Sequence, residues 1–241
     1  MRSWSPVPIR AVLLDVDGTL YYQERLRLFM ALELSCLPFV HMSWRTACDR
    51  WRALSIFRHV REELRSLGTA DMCLDRWQYV AAAQPVGWEP AVLENLVVEW
   101  LYKRPLKYLR LCRRSGLESF LTFLEQHDMR IGVFSDYPVL DKLESLGIAQ
   151  HISVALCATD PKINAFKPSP QGFVHACRLW GLRPEEVLYV GDRHEVDAVG
   201  ASSAGMPCAI LSRRRSRNVH AAVQSTCRTF SSFGHLQRAL L

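Results

Sequence analysis

The 241-residue chain predicts an α/β fold: a doubly wound parallel sheet carrying an inserted all-helical domain. Three observations carry that expectation. From Leu117 onward, short apolar runs alternate with helical stretches, the pattern of parallel strands joined by right-handed crossovers. Between residues 21 and 112 strand-like runs disappear and apolar side chains recur at helical spacing. Acidic, hydroxyl and amine side chains stand just past the expected strand ends, where an open parallel sheet gathers its functional groups. These set the boundaries: residues 1–20 and 113–241 form the α/β domain, and residues 21–112 the helical one.

The first element is a buried strand through Val12, Leu13 and Leu14, too short and too uniformly apolar for a helical period. Asp15 and Asp17 come where it ends, and Gly18-Thr19 turn the chain away; taken alone, a strand running into a polar turn reads the same way. Residues 23–34 then carry Leu26, Leu28, Phe29, Ala31 and Leu32 at near-helical spacing, with Pro38 expected as the break. Ser43 suits the cap of a second helix with Trp44, Ala47, Cys48, Trp51, Leu54 and Phe57 on a broad apolar face. Gly68 interrupts, and Thr69 suits the cap of a third helix through Leu74, Trp77 and Val80. Residues 85–87 form a turn, and Pro90 opens a last helix through Leu93, Leu96, Val97 and Leu101. Residues 103–114 are rich in Lys and Arg, which by default make a solvated face.

The remaining elements alternate. Helices are expected over residues 117–126, 139–146, 170–180, 196–204 and 233–240, and strands over 130–134, 152–156, 187–190, 208–211 and 226–230. Residues 213–217 read as an exposed basic loop.

Composition narrows the function. The chain is 49% apolar and 22% charged, enough to bury a core. Its net charge of +6 suits anionic small molecules, while a dense basic run or a nucleic-acid motif is lacking, so no nucleic acid is expected as partner. The eight cysteines show no paired metal-ligand spacing. With no signal-like leader and no span of about twenty apolar residues, no membrane partner is expected, and the setting is a reducing cytoplasm. A monomer or homodimer is expected.

Four groups stand after strands in order: Asp15/Asp17, Ser135, Lys167 and Asp192/Asp197, the last pair within Gly191-Asp192-Arg193-His194-Glu195-Val196-Asp197. Taken together these motifs resemble the haloacid dehalogenase-like hydrolase superfamily, phosphatase type, with a helical cap and a phosphoglycolate phosphatase-like layout. Asp15-Val16-Asp17-Gly18-Thr19 is similar to its nucleophile motif, and Ala198-Val199-Gly200-Ala201 to the stretch after its acidic motif. The resemblance covers the whole chain and implies a Rossmann-like core. It further implies that Asp15 is the nucleophile and Asp17 the general acid and base. Ser135, Lys167, Gly18 and the backbone at Asp136 would hold phosphate. Asp15, Asp17 (by its carbonyl), Asp192 and Asp197 would serve Mg²⁺. A carboxylate nucleophile splits a difficult displacement into two easier ones, and Mg²⁺ takes oxygen ligands of this kind.

Within the superfamily Asp17 argues against halide displacement, whose members typically lack that acid. Residues 20–102 contain no lysine to serve phosphonate cleavage, and Arg27 stands where sugar-phosphate mutases usually carry a histidine. The expected activity is Mg²⁺-dependent hydrolysis of a small phosphorylated metabolite. A non-enzymatic binding member of the fold is the alternative, and a phosphomutase the more distant one. Tyr22-Gln23 departs from the Asp-Ser common in phosphoglycolate phosphatase-like members. Tyr21, Tyr22, Gln23, Arg104 and Lys107, at the two crossings between domains, are the candidates for substrate specificity.

Overall fold

Alternation fixes the central strand. In Ala11–Leu14 (β1), Ala11 and Leu13 enter one buried face of a sheet and Val12 and Leu14 the other, as a strand covered on both sides requires. The computed structural model describes residues 7–40, 44–67, 72–212 and 227–241. The further strands are Arg130–Ser135 (β2), Val154–Cys157 (β3), Val187–Gly191 (β4), Cys208–Leu211 (β5) and Cys227–Phe230 (β6). They lie in the order β3-β2-β1-β4-β5-β6, every neighbouring pair parallel. The α/β class expected from sequence is the one found. In this order the winding reverses between β1 and β4, which opens a crevice at their carboxyl ends.

The helices of the insertion are Gln23–Val40 (α1), Trp44–Leu67 (α2), Leu74–Ala83 (α3), Pro90–Val97 (α4) and Leu106–Cys112 (α5), with a wide π-type turn at Val98–Lys103. Beyond it come Leu117–Gln126 (α6), Leu140–Leu146 (α7), Gln171–Trp180 (α8), Val199–Ser203 (α9) and Phe233–Leu240 (α10). Phe120, Leu121 and Leu124 of α6, Leu143 of α7 and Phe233 of α10 cover one face of the sheet. Phe173, Ala176 and Trp180 of α8 cover the other, in a cluster continuous with Phe57, Tyr79 and Leu93 of the insertion.

The chain leaves and rejoins the sheet at one place. Tyr21 and Arg113 form an antiparallel bridge, Tyr22 N donates to Cys112 O at 2.8 Å, and Arg114 N to Leu20 O at 2.9 Å. Some expectations shift. Pro38 does not end α1, which runs on to Val40; an interior proline loses one backbone bond and crowds the preceding turn, a cost that can bend a helix without ending it. β3 begins at Val154 rather than at residue 152; Ser153 before it still gives both its N–H and its hydroxyl to Ile131 O of β2 at 2.8 Å. Ser43, Thr69, Thr226 and residues 213–217 lie outside the described residues. No described helix is long and apolar enough to cross a membrane.

Candidate active site

Asp15 emerges from β1 with its N–H donated to Val190 O of β4 at 2.8 Å, which fixes it at the crevice between the two strands. Thr19 Oγ1 donates to Asp15 Oδ2 at 3.0 Å, across one tight turn. Lys167 Nζ donates to Asp15 Oδ1 at 2.6 Å, to Asp197 Oδ1 at 2.8 Å and to the Tyr189 hydroxyl oxygen at 3.0 Å. The hydroxyl of Tyr189 also donates to Asp197 Oδ1 at 3.0 Å. Asp197 Oδ2 accepts the N–H groups of Asp192 (3.2 Å) and Arg193 (3.0 Å). That clasp draws the chain after β4 into a wide π-type turn over His194–Ala198, so the helix expected from residue 196 becomes this turn followed by α9. Two glycines permit the crowding. Gly18 has φ +96°, and a Cβ there would lie 2.2 Å from Asp192 Oδ2; a Cβ on Gly191 would lie 2.5 Å from Asp197 Cγ.

Acids outnumber cations at this end. Burial, augmented by the charges of Asp197, Asp192 and Asp17, holds the Asp15 carboxyl well above its ordinary value although Lys167 opposes the shift. Burial and Asp197 push Asp192 up to about 6. Asp197 is held low: burial would raise it, but the Lys167 charge and hydrogen bond prevail. Ligand oxygens of Asp15, Asp192 and Asp197 all lie within 4.8 Å of one another. An all-oxygen donor set with surplus negative charge fits a hard divalent cation.

Asp17, two residues on, faces the opposite setting. Lys142 Nζ donates to its Oδ1 at 2.6 Å and its Oδ2 at 2.8 Å, Ser135 Oγ donates to Oδ2 at 3.0 Å, and the Tyr21 hydroxyl donates to Oδ1. Burial would raise its pKa, but the Lys142 ammonium and these hydrogen bonds keep it below the usual carboxylate value.

A cavity of about 450 Å³ opens beyond Asp17, between the sheet rim and the insertion. Tyr21, Tyr137, Lys142 and Arg193 line its sheet side, and Arg27, Trp51, Arg58, Arg65, Trp100 and Tyr102 its helical side. Two arginines of α2 tie the insertion to the loops of the site. Arg65 Nη1 pairs with Asp136 Oδ2 at 2.8 Å and donates to Lys167 O; Arg61 Nη2 donates to Asp136 O at 2.6 Å and its guanidinium lies over Tyr137 and Phe166.

Of the residues singled out in the sequence, the structure brings Asp15, Asp17, Gly18, Ser135, Lys167, Asp192 and Asp197 to one rim. Asp136 turns its carboxylate to Arg65 and to the N–H of Lys167 (3.1 Å), so its charge is matched. Tyr21 and Gln23 line the cavity; Tyr22, Arg104 and Lys107 do not. Tyr22 lies under Arg25 and Arg114. Arg104 and Lys107 pair with Glu33 at 2.7 and 2.9 Å, where Tyr108 also donates. Sequence reasoning passed over Lys142, Arg61 and Tyr189, yet a signal existed for two of them. Lys142 falls on the Val139, Leu143, Leu146 face of α7, and Arg61 on the Leu54, Phe57, Leu64 stripe of α2. A cation at a core-facing position is rarely buried without a partner.

Comparison with known proteins agrees with this geometry. The chain is 28% identical over 206 residues to a glyceraldehyde 3-phosphate phosphatase of Methanopyrus kandleri, covering 82% of each chain. It is 34% identical over 91 residues to a phosphoglycolate phosphatase of Photorhabdus laumondii subsp. laumondii, covering 36% of this chain and 38% of that one. A crystal structure of a 2-haloacid dehalogenase from Pseudomonas syringae pv. Tomato DC3000 superposes with a TM-score of 0.65 at 19% identity, over 96% of this chain and 98% of that one. At that identity the likeness concerns the fold. The model of the haloacid dehalogenase-like hydrolases matches residues 9–205. The chain belongs to the haloacid dehalogenase-like hydrolase family.

Proposed function

We propose that the chain hydrolyses a small phosphorylated metabolite through an aspartyl-phosphate formed on Asp15, with Mg²⁺ as cofactor. The observation that carries this reading is the convergence of Asp15 and Asp17 from one loop, and of Ser135, Lys167 and Asp192 from three others, on one rim beside a cavity. The relatives named as phosphatases support it.

Asp15 Oδ attacks phosphorus while the bond to the leaving oxygen breaks, and Asp17 gives that oxygen a proton. Water then attacks phosphorus, its proton passes to Asp17, and the Asp15 carboxylate is regenerated. Thr19 and Lys167 aim the nucleophile, and Lys167 with Ser135 would meet the phosphoryl oxygens, where charge stabilisation contributes most. Lys142 holds Asp17 as the carboxylate, the form suited to the second half. For the first half Asp17 must carry a proton, and Lys142 Nζ, Tyr21 and Ser135 are the described donors in contact with it.

Asp15, the Asp17 carbonyl and Asp192 would hold Mg²⁺, which when bound would screen the repulsion between Asp15 and an anionic substrate. Asp197 fits a supporting place, since both its oxygens are taken by Lys167, Tyr189 and two backbone N–H groups. Residues 21–112 act as a cap over a core of residues 1–20 and 113–241; the two crossings, bridged side by side at Tyr21 and Arg113, support that division. Gln23 and Tyr21 would meet the substrate from the crossing.

The test is turnover of p-nitrophenyl phosphate with and without Mg²⁺, repeated on Asp15→Asn. Mg²⁺-dependent turnover lost in Asp15→Asn is expected. Metal-independent turnover, or an active Asp15→Asn enzyme, would overturn the mechanism.

A further inference from the structure

The cavity beyond Asp17 carries more cations than acids, and most of them are matched. Lys142 is paired with Asp17, Arg65 with Asp136 and Glu62, and Arg193 with Glu62 and Glu195. Arg27 of α1 and Arg58 of α2 line the same cavity and face no acidic partner among the described residues. Among the described residues Arg27 donates only to the amide oxygen of Gln23 at 3.0 Å. Loss of hydration on the cavity wall holds the Arg58 guanidinium below its ordinary range; Tyr137 opposes that shift and the like charge of Arg27 adds to it. Two solvent-exposed arginines on neighbouring helices, beside Leu54 and Trp51 at the edge of the cavity, thus repel each other across space open to a ligand.

An anion between them would reverse that repulsion. Guanidinium groups present a planar fork of donors that matches carboxylate and phosphate oxygens. A substrate whose phosphoryl group reaches Asp15 would extend its leaving group past Asp17 into this cavity. At about 450 Å³ the space lies within the range of sites that enclose a whole small molecule. Resting on the phosphatase reading, we propose that the substrate is a phosphomonoester whose leaving group bears a second anionic group, a carboxylate or a further phosphate, received by Arg27 and Arg58.

The test compares kcat/KM within two matched pairs. Glycerol 3-phosphate and 3-phosphoglycerate differ by a carboxylate; glucose 6-phosphate and glucose 1,6-bisphosphate differ by a phosphate. The more anionic member of at least one pair should be favoured by about tenfold or more, and the pair that responds identifies the anion. Arg58→Gln and Arg27→Gln should each cut that ratio by about tenfold, with part recovered in Arg58→Lys. Arg110→Gln, which removes an exposed arginine outside the cavity, should leave the ratio in place and so separate a local site from the overall positive field. Wild-type ratios near one in both pairs, or equal losses on both members of a pair, would overturn the proposal. If no ester is turned over, the phosphatase reading has failed, and binding still tests the subsite. On the Asp15→Asn protein, calorimetry should show 3-phosphoglycerate binding more tightly than glycerol 3-phosphate, an advantage lost when Arg58→Gln is added. Equal affinity, or no binding of either, counts against the subsite.

Discussion

Asp15 and Asp17 are two residues apart in the chain and stand in opposite electrostatic settings. Around Asp15, the carboxylates of Asp192 and Asp197 crowd together with Lys167 as the cation in contact, and burial pushes both Asp15 and Asp192 upward. Around Asp17, Lys142 grips the carboxylate at both oxygens and the adjoining cavity carries two arginines without acidic partners among the described residues. One end of the site is short of positive charge and the other has it in excess. A divalent cation suits the first and an anionic substrate the second, so under the proposed function a single strand end would organise both ligands.

The severest challenge to this contrast is to remove its pivot. Asp15→Asn should lower p-nitrophenyl phosphate turnover by about 10⁴-fold, the scale of losing a nucleophile. Residual activity within tenfold of wild type would place the nucleophile elsewhere.

The second challenge falls on the cationic end. Lys142→Met leaves the half-buried Asp17 carboxylate without its counter-charge, and such losses cost about 3 kcal/mol, the low end for a buried pair because Asp17 keeps some contact with solvent. Urea unfolding should register that loss. Adding Asp17→Asn should restore most of it, since the charge left behind is the main penalty. A Lys142→Met protein as stable as wild type would show that the pair contributes little.

The acidic end gives a smaller, saturable effect. Magnesium at about a hundred times its dissociation constant should stabilise the wild-type protein by about 2.7 kcal/mol, read as a rise in Tm, and Asp192→Asn should abolish most of that rise. EDTA should return wild type to its metal-free Tm. An unchanged magnesium response in Asp192→Asn would remove Asp192 from the ligand set.

Smallest is the effect at Glu33, which holds Arg104, Lys107 and Tyr108 away from the cavity. Glu33→Gln should cost about 1 kcal/mol of stability, discounted because its partners are partly exposed. Burial alone would raise the Glu33 pKa, yet hydrogen bonds from Lys107, Tyr108 and Arg104 keep it below its ordinary value. A carboxyl lowered on folding stabilises fully above its unfolded pKa and loses that contribution as pH falls through the folded one. The difference between Glu33→Gln and wild type should therefore vanish in acid; a difference that grew on acidification would contradict the assignment.

The two ends also differ in how far they were legible. The acidic end lies on short loops after strands, where a motif survives as consecutive letters: Asp15, Gly18 and Asp192 are all placed by their neighbours in sequence. β5 and α10 were equally plain: both keep the bounds expected of them, residues 208–211 and 233–240. The cationic end is assembled across the chain. Asp17 meets Lys142 from α7, and Asp136 meets Arg61 and Arg65 from α2, contacts that no local spacing encodes. The basic run at residues 103–114 drew attention by density, yet Arg104 and Lys107 are satisfied by Glu33, a partner more than seventy positions earlier. The more telling cations were isolated ones on otherwise apolar stripes.

The most direct test of the contrast asks which of the two acids becomes bonded to phosphorus. The wild-type enzyme turning over p-nitrophenyl phosphate with Mg²⁺ can be quenched in acid, digested and mapped by mass spectrometry. The mass of one phosphoryl group should appear on Asp15, in its peptide around Leu14 and Val16, and Asp17 should stay unmodified. A phosphoryl group on Asp17, or none on this peptide while turnover proceeds, would contradict the account.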